Sequence, residues 1–295
     1  MFPEILSQSI INKLTEYFDP TKKGFAIEIG IGTDNFYCVE YKKSGLKCIA
    51  IDPIPHQPFV NIARELNINF EKVCIYDFEG EITFYSNELT DLSSINENWW
   101  GIDKKNKQNV QAILFQTLLD KYSIINITFL KVDTEGTEFE ILKQLEGINP
   151  TRLPCIIEFE YGGGGLKKNG INGWSHEYFN KVIKILHILK RLGYEQGLIL
   201  ESNEIENLFF DVNKVTSFES LFKNHFEYGN LIIFKKKISK TEEVQEIISK
   251  IQTYELKKKY DQLIIENQNL HAKYIKTKYL RRLIHKAKNL FKKYD

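Results

Sequence analysis

The segment FLKVDTEGTEFEIL, residues 129–142, places carboxylates directly after an apolar run. A buried strand does not tolerate unpaired charge, so Asp133, Glu135 and Glu138 are predicted to follow the carboxyl end of a strand. In a doubly wound sheet the ligand cleft opens at that end. A carboxylate there accepts the proton of a substrate hydroxyl or orients that hydroxyl. Asp133 is our first candidate for this catalytic role and Glu135 the second; alternatively, the acids only form an acidic helix N-terminus.

Lys131 and His176 complete the catalytic candidates. We expect the ammonium group of Lys131 to neutralise Glu28 or Glu158 on neighbouring strands and so keep these carboxylates ionised. The alternative is a buried structural ion pair. His176 follows a glycine-rich segment and is another candidate base, although a lone histidine is also typical of an ordinary surface or helix-cap residue.

Substrate and metal contacts are predicted around the same carboxylates. Trp99 and Trp100 lie in a long polar loop, where they offer flat faces to a sugar ring, and Ser94 donates a hydrogen bond. The alternative is that one tryptophan fills the edge of the core. Glu138 and Glu158 are the other predicted substrate residues. Asp133 with Glu158 is also a candidate pair for a divalent metal, because hard cations prefer oxygen ligands.

The segment EIGIGTDNF, residues 28–36, follows the first predicted strand and opens the next helix. Gly30 allows a close approach of the backbone to a ligand and Gly32 allows the turn. A dinucleotide fingerprint needs a third glycine where this chain has Asn35, which disfavours NAD.

Two acids flank this glycine loop and indicate a different ligand. Glu28, inside the strand, is placed to accept from an ammonium group, and Asp52, at the end of the second strand, is placed to bind ribose hydroxyls. A ligand with a ribose, an amino-acid part and no pyrophosphate fits both, as S-adenosylmethionine does. Asp77, after the third strand, is predicted to reach the adenine amino group. Alternatively, Asp52 only caps a turn and Glu28 pairs with a lysine.

The order EIGIG, IDPIP, VCIYDFEGEITFY, DLSSI, LKVDTEGTEFEILK and CIIEFE resembles the FkbM family of S-adenosylmethionine-dependent methyltransferases. The resemblance covers roughly residues 25–160. Its most specific part is Leu130–Glu138, where the family carries Leu-Lys-Ile-Asp-Val-Glu-Gly-Ala-Glu. The first loop departs from the family's Asp-x-Gly-Ala-Asn-x-Gly, since Asp34 replaces the last glycine. The resemblance implies O-methylation of a hydroxyl, as family members mostly modify sugars, polyketides and related natural products.

The elements that position these residues alternate between strands and helices, which predicts right-handed crossovers and a parallel sheet. We expect an α/β, class I, Rossmann-like methyltransferase fold with a mostly parallel seven-stranded sheet. Residues 1–237 form the predicted methyltransferase domain, with helix 1–20 packed on it, and residues 238–295 form a long, helical, basic extension. The predicted strands lie at 25–30, 47–52, 69–76, 125–133, 153–161, 194–201 and 229–235; residues 109–122 are predicted helical.

Charge is unevenly distributed along the 295 residues. Residues 271–295 hold nine of the 40 Lys and Arg residues but only one of the 39 Asp and Glu residues. The basic tail suits an anionic membrane surface or self-association, while the acidic body makes nucleic acid an unlikely partner.

The first residues do not form a signal peptide and no run of about 18 apolar residues occurs, so we expect a cytoplasmic protein, peripheral to the inner face of the membrane. The four dispersed cysteines suggest buried thiols in a reducing compartment.

These patterns predict methyl transfer from S-adenosylmethionine to a hydroxyl of a sugar in a bacterial surface glycan. Two alternatives stay open. One is a nucleotide-sugar oxidoreductase. The other is a non-catalytic scaffold that assembles a glycan-modifying complex through its tail.

Overall fold

The computed structural model describes residues 3–33, 36–87, 92–202, 208–255 and 257–258. The chain divides into two compact units, residues 1–248 and 249–295. In the second unit, the described residues are 249–255 and 257–258, and they are helical. The basic stretch 271–295, to which we assigned membrane contact or self-association, lies outside the described residues, as does Asp34.

Strands and α-helices alternate along residues 3–71 and 107–201, whereas the strands within 69–113 and within 196–234 follow one another with no described α-helix between them. The strands are β1 (Phe25–Ile29), β2 (Lys47–Ile51), β3 (Asn69–Glu71), β4 (Cys74–Ile75), β5 (Gly80–Tyr85), β6 (Lys107–Ile113), β7 (Ile127–Val132), β8 (Ile156–Gly162), β9 (Gln196–Glu201), β10 (Leu208–Asp211) and β11 (Tyr228–Phe234). The helices are α1 (Pro3–Phe18), α2 (Tyr37–Lys43), α3 (Gln57–Glu65), α4 (Phe115–Lys121), α5 (Glu138–Leu142) and α6 (His176–Arg191). Residues 241–255 form a further helix.

The main sheet is mixed and has eight strands, in the order β10-β9-β11-β8-β7-β1-β2-β3. The β8-β7-β1-β2-β3 half is parallel, whereas β11 pairs antiparallel with both β8 and β9, and β10 pairs antiparallel with β9. The α/β class is therefore confirmed, but the sheet has one strand more than the seven we predicted. The extra strand, β10, covers the edge that β9 would otherwise expose.

A second, three-stranded sheet has the order β4-β6-β5. The predicted helix at 109–122 is wrong in its first part, because residues 107–113 form β6 and α4 begins only at Phe115. Val110 and Ala112 pack with Phe84 and Cys74 in a small core of their own. Pairing with β5 thus places Val110 and Ala112, two residues apart, on the same packed face of β6, although the same sequence was also compatible with a helix.

Burial on both faces explains the apolar character of the central strands. Every residue of β7 is buried, including Lys131. One face of α1 is also buried, through Leu6, Ile10 and Leu14. None of the described helices is long and apolar enough to span a membrane. The described cysteines form no disulfide, and three of the four are buried, as expected.

Candidate active site

A first pocket opens at the carboxyl ends of β1, β2 and β7. Its volume is about 720 Å³, including the open mouth. Polar groups from Asp52, Asp133 and Glu135 meet apolar side chains there. The apolar residues include Ile54, Cys74, Ile75, Phe84 and Ile95. The strand ends thus converge on one cleft, as the parallel arrangement requires.

Gly30 and Gly32 line this pocket and both have a positive φ, +79° and +61°. A Cβ on Gly30 would lie 1.7 Å from the carbonyl oxygen of Asp133. The two backbones are this close because β1 pairs with β7, and the Asp133 amide continues that pairing by donating to the Ile29 carbonyl at 2.9 Å. Glycine at this position therefore lets the ends of β1 and β7 meet at the floor of the pocket.

Asp52 lies in the pocket and is held by the backbone. Its Oδ2 accepts from the Ile31 amide at 3.1 Å and its Oδ1 from the Ile54 amide at 2.8 Å. Burial raises the pKa of Asp52, and these backbone hydrogen bonds oppose that rise. Asp52 thus both braces the glycine loop and presents a carboxylate to the pocket.

Glu28 and Asp77, two predicted cofactor residues, do not line the pocket. The carboxylate of Glu28 is fully buried and accepts from the amides of Tyr37 and Cys38, at 3.0 and 2.8 Å, at the start of α2. Burial raises its pKa to about 7. Asp77 instead forms an ion pair with Lys143 at 2.7 Å. A position within a strand, as for Glu28, or just after one, as for Asp77, does not by itself predict which way the side chain points.

Three carboxylates converge beside the pocket, with one oxygen from each of Asp133, Glu135 and Glu160 within 4.8 Å of one another. We call this group the carboxylate trio. The Nζ of Lys131 lies 2.7 Å from Oδ2 of Asp133. Burial and repulsion from Asp133 and Glu135 raise the pKa of Glu160 well above its usual value. Sequence reasoning did not assign Glu160 to the site, although period-two alternation placed it on the same face as Glu158.

Two predicted substrate residues hold Glu135 in place. The Nε1 of Trp99 donates to Oε2 of Glu135 at 2.7 Å, and the Ser94 hydroxyl donates to its carbonyl oxygen at 2.7 Å. Glu135 has φ +56°, a left-handed conformation that a non-glycine residue keeps only when its surroundings impose it. Ser94 and Trp99 are both buried, whereas Trp100 is 40% exposed. Ser94 and Trp99 therefore position Glu135, and Trp100 stays accessible.

A second pocket of about 430 Å³ adjoins the first, and Glu135 lines both. Glu138 and Glu160 also line it. No side-chain hydrogen bond from Thr137 caps α5. The carboxylate of Glu138 accepts from the amides of Thr134 and Gly136 instead. These bonds order the turn that carries Glu135.

Glu158 and His176 lie apart from the trio. Glu158 is buried and accepts from the Tyr37 hydroxyl at 3.1 Å and from Nδ2 of Asn230 at 2.8 Å. The Glu158 carboxylate is therefore bound by Tyr37 and Asn230. His176 is exposed at the start of α6, contacts Asn180 and lines neither pocket.

Glu4 on α1 is a site neighbour that sequence reasoning missed. Burial raises its pKa to about 7, with a smaller contribution from the negative charge of Asp133. The Tyr37 hydroxyl approaches both Ser7, at 2.6 Å, and the Glu4 carbonyl, at 3.3 Å, which links α1 to the site. No local pattern in the first 18 residues indicates this tertiary contact.

Replacing Glu4 with glutamine is expected to stabilise the protein above neutral pH. In the folded state Glu4 keeps its proton up to about pH 7, because its pKa is raised to that value, whereas in the unfolded chain it has the ordinary pKa of 4.5. The stability that this group contributes is therefore complete below pH 4.5 and is lost as the pH rises through 7. We expect Glu4→Gln to raise the melting temperature by about 2–5 °C at pH 8 and to leave it unchanged at pH 4. Glu16→Gln, at an exposed position of α1, is the control; parallel melting curves for wild type and Glu4→Gln across pH would contradict the prediction.

A comparison with known families places this site in context. A family model of the methyltransferase FkbM domain matches residues 23–195. No curated protein matches the chain. The matched region covers more than half of the sequence and contains the glycine loop, Asp52 and the whole carboxylate trio. The chain belongs to the FkbM methyltransferase family.

Proposed function

We propose that the protein is an S-adenosylmethionine-dependent O-methyltransferase that acts on a hydroxyl of a sugar, in a bacterial surface glycan. The observation that carries this proposal is the position of the carboxylate trio, because Glu135 joins a pocket suited to the cofactor to a second pocket suited to an acceptor. Family membership supports methyl transfer over the hydride transfer of an oxidoreductase.

The lining of the first pocket supports the cofactor assignment. It combines apolar side chains with a few polar groups, as small-molecule sites do. Asp52 keeps lone pairs for ribose hydroxyls after accepting its two amide bonds, and Ile54 and Phe84 offer an apolar wall to adenine. When bound, S-adenosylmethionine supplies an electrophilic methyl group on a positively charged sulfur. Glu28 supports the site indirectly by holding α2.

Asp133 is the proposed proton acceptor. Its ion pair with Lys131 fixes the carboxylate through Oδ2, which leaves Oδ1 to accept a hydrogen bond from the acceptor hydroxyl and then its proton. Lys131 is buried and its positive charge offsets the negative charge that the surrounding acids impose on the site. The predicted metal pair of Asp133 and Glu158 is not kept in the proposal, because the Glu158 carboxylate is bonded to Tyr37 and Asn230.

Binding of S-adenosylhomocysteine tests the cofactor assignment. In isothermal titration we expect the wild type to bind S-adenosylhomocysteine and not NAD. Asp52→Asn is expected to weaken binding about 10- to 100-fold, because it removes a charged hydrogen-bond acceptor from the pocket. Asp77→Asn, which breaks only the pair with Lys143, is the matched control and should bind as the wild type does. Preferential binding of NAD, or an equal loss in both variants, would overturn the assignment.

A further inference from the structure

The second pocket has an excess of negative charge. Glu135, Glu138 and Glu160 line it, and Lys181 is its only lining cation among the described residues. Lys181 is already paired with Glu140 at 3.0 Å. The pocket therefore disfavours an anionic ligand, since like charges in a partly desolvated site repel strongly.

Glu160 is the carboxylate whose charge is least compensated. Within the described part of the chain, no side chain or backbone amide donates a hydrogen bond to its carboxyl group, whereas Glu135 is bound by Trp99 and Glu138 by two amides. Glu4 and Glu138 add to the repulsion from the other two members of the trio. A positive charge next to Glu160 would remove this repulsion.

The walls of the second pocket suit the carbon skeleton of an organic cation. Trp99, Phe139, Tyr161 and Tyr178 line it together with the acids. Aromatic rings favour contact with an aliphatic ring and also attract a nearby cation. A hydrated metal ion would use only the carboxylates, so the combination of acids and aromatic rings favours an ammonium group.

We infer that the acceptor carries a protonated amino group, which Glu160 and Glu135 bind beside the hydroxyl to be methylated. The inference rests on the proposed function, because it assigns the acceptor to the second pocket. An amino sugar or a related cyclic amino alcohol has the required chemistry, and a uronic acid or a phosphorylated sugar does not. An ammonium group bonds carboxylate oxygens at about 2.7–2.9 Å, so it can bridge two members of the trio.

Three cyclic probes of similar size isolate the charge. They are trans-2-aminocyclohexanol, trans-1,2-cyclohexanediol and trans-2-hydroxycyclohexanecarboxylate, each titrated into the full-length protein saturated with S-adenosylhomocysteine. The indole N–H resonance of Trp99, assigned with Trp99→Phe, reports binding because it donates to Glu135. We expect the amino alcohol to bind at least tenfold more tightly than the diol, and the carboxylate not to bind. An amino alcohol that fails to bind, or that binds no better than the diol, overturns the inference.

Glu160→Gln tests the assigned residue. It is expected to lower the affinity for the amino alcohol at least tenfold and to leave that for the diol unchanged, while Glu177→Gln, at an exposed position of α6, changes neither. Unchanged affinity of Glu160→Gln for the amino alcohol contradicts the assignment. A titration with Mg²⁺ covers the alternative occupant, and Mg²⁺ that binds the trio and displaces the amino alcohol also overturns the inference. If these tests fail while the wild type binds S-adenosylhomocysteine, only the acceptor class is refuted. If the wild type does not bind S-adenosylhomocysteine, the proposed function itself is refuted.

Discussion

Asp133→Asn is expected to lower kcat about 10²- to 10⁴-fold while S-adenosylhomocysteine still binds. The amide cannot accept the hydroxyl proton, and general-base catalysis contributes a factor of this size. The measurement is transfer of a labelled methyl group to the sugar that the wild type methylates fastest in a panel of neutral and amino sugars. Titration with S-adenosylhomocysteine on the same preparation shows whether the cofactor pocket is intact.

Loss of the ion pair with Lys131 is a separate consequence of this substitution. Lys131 is buried, so its ammonium group loses a partner at 2.7 Å and the variant is expected to melt at a lower temperature. Asp120→Asn, which removes the partner of Arg152 at a distance from both pockets, is the control for ion-pair loss and should keep full turnover. If Asp133→Asn folds, binds S-adenosylhomocysteine and turns over at the wild-type rate, Asp133 is not the base. A wild type that binds S-adenosylhomocysteine but methylates no sugar of the panel would instead favour the scaffold alternative.

Gly30→Ala is expected to destabilise the protein by about 3–5 kcal/mol and to abolish cofactor binding. The new methyl group would meet the backbone carbonyl of Asp133 at 1.7 Å, and a backbone atom cannot move aside without separating β1 from β7. Effects of this size are exceptional for one substitution and arise where strain and overpacking coincide. Denaturant unfolding gives the free energy, and titration with S-adenosylhomocysteine gives the binding.

Gly170→Ala separates the clash from the backbone strain. Gly170 also has a positive φ, +62°, but a Cβ there would meet nothing within 4 Å. Its replacement is expected to cost only the left-handed strain of about 1–2 kcal/mol and to leave binding unchanged. Equal destabilisation by the two alanines would show that contact with Asp133 does not matter.

Features encoded by short stretches of sequence were predictable. The apolar runs identified the parallel strands β1, β2, β7 and β8, and the carboxylates after β7 were correctly placed at a cleft. Gly30, Gly32 and Asp52, which we predicted to bind the cofactor, line that cleft. Because a parallel sheet is buried on both faces, its strands are apolar along their whole length. The end of such an apolar run therefore indicates where the chain leaves the sheet.

Side-chain direction and long-range pairing required the tertiary structure. Glu28 and Asp52 both lie on strands or at strand ends, yet one faces α2 and the other faces the pocket. Residues 107–113 became a strand only because β5 supplied a partner ladder. Glu4 lies on α1, Trp99 in the loop after β5, and Asp133 and Glu160 at the neighbouring strands β7 and β8. They meet because this helix and this loop pack against the end of the sheet. Local patterns determine where a strand begins and ends, but the charge and shape of the site depend on contacts between residues far apart in sequence, which no short window contains.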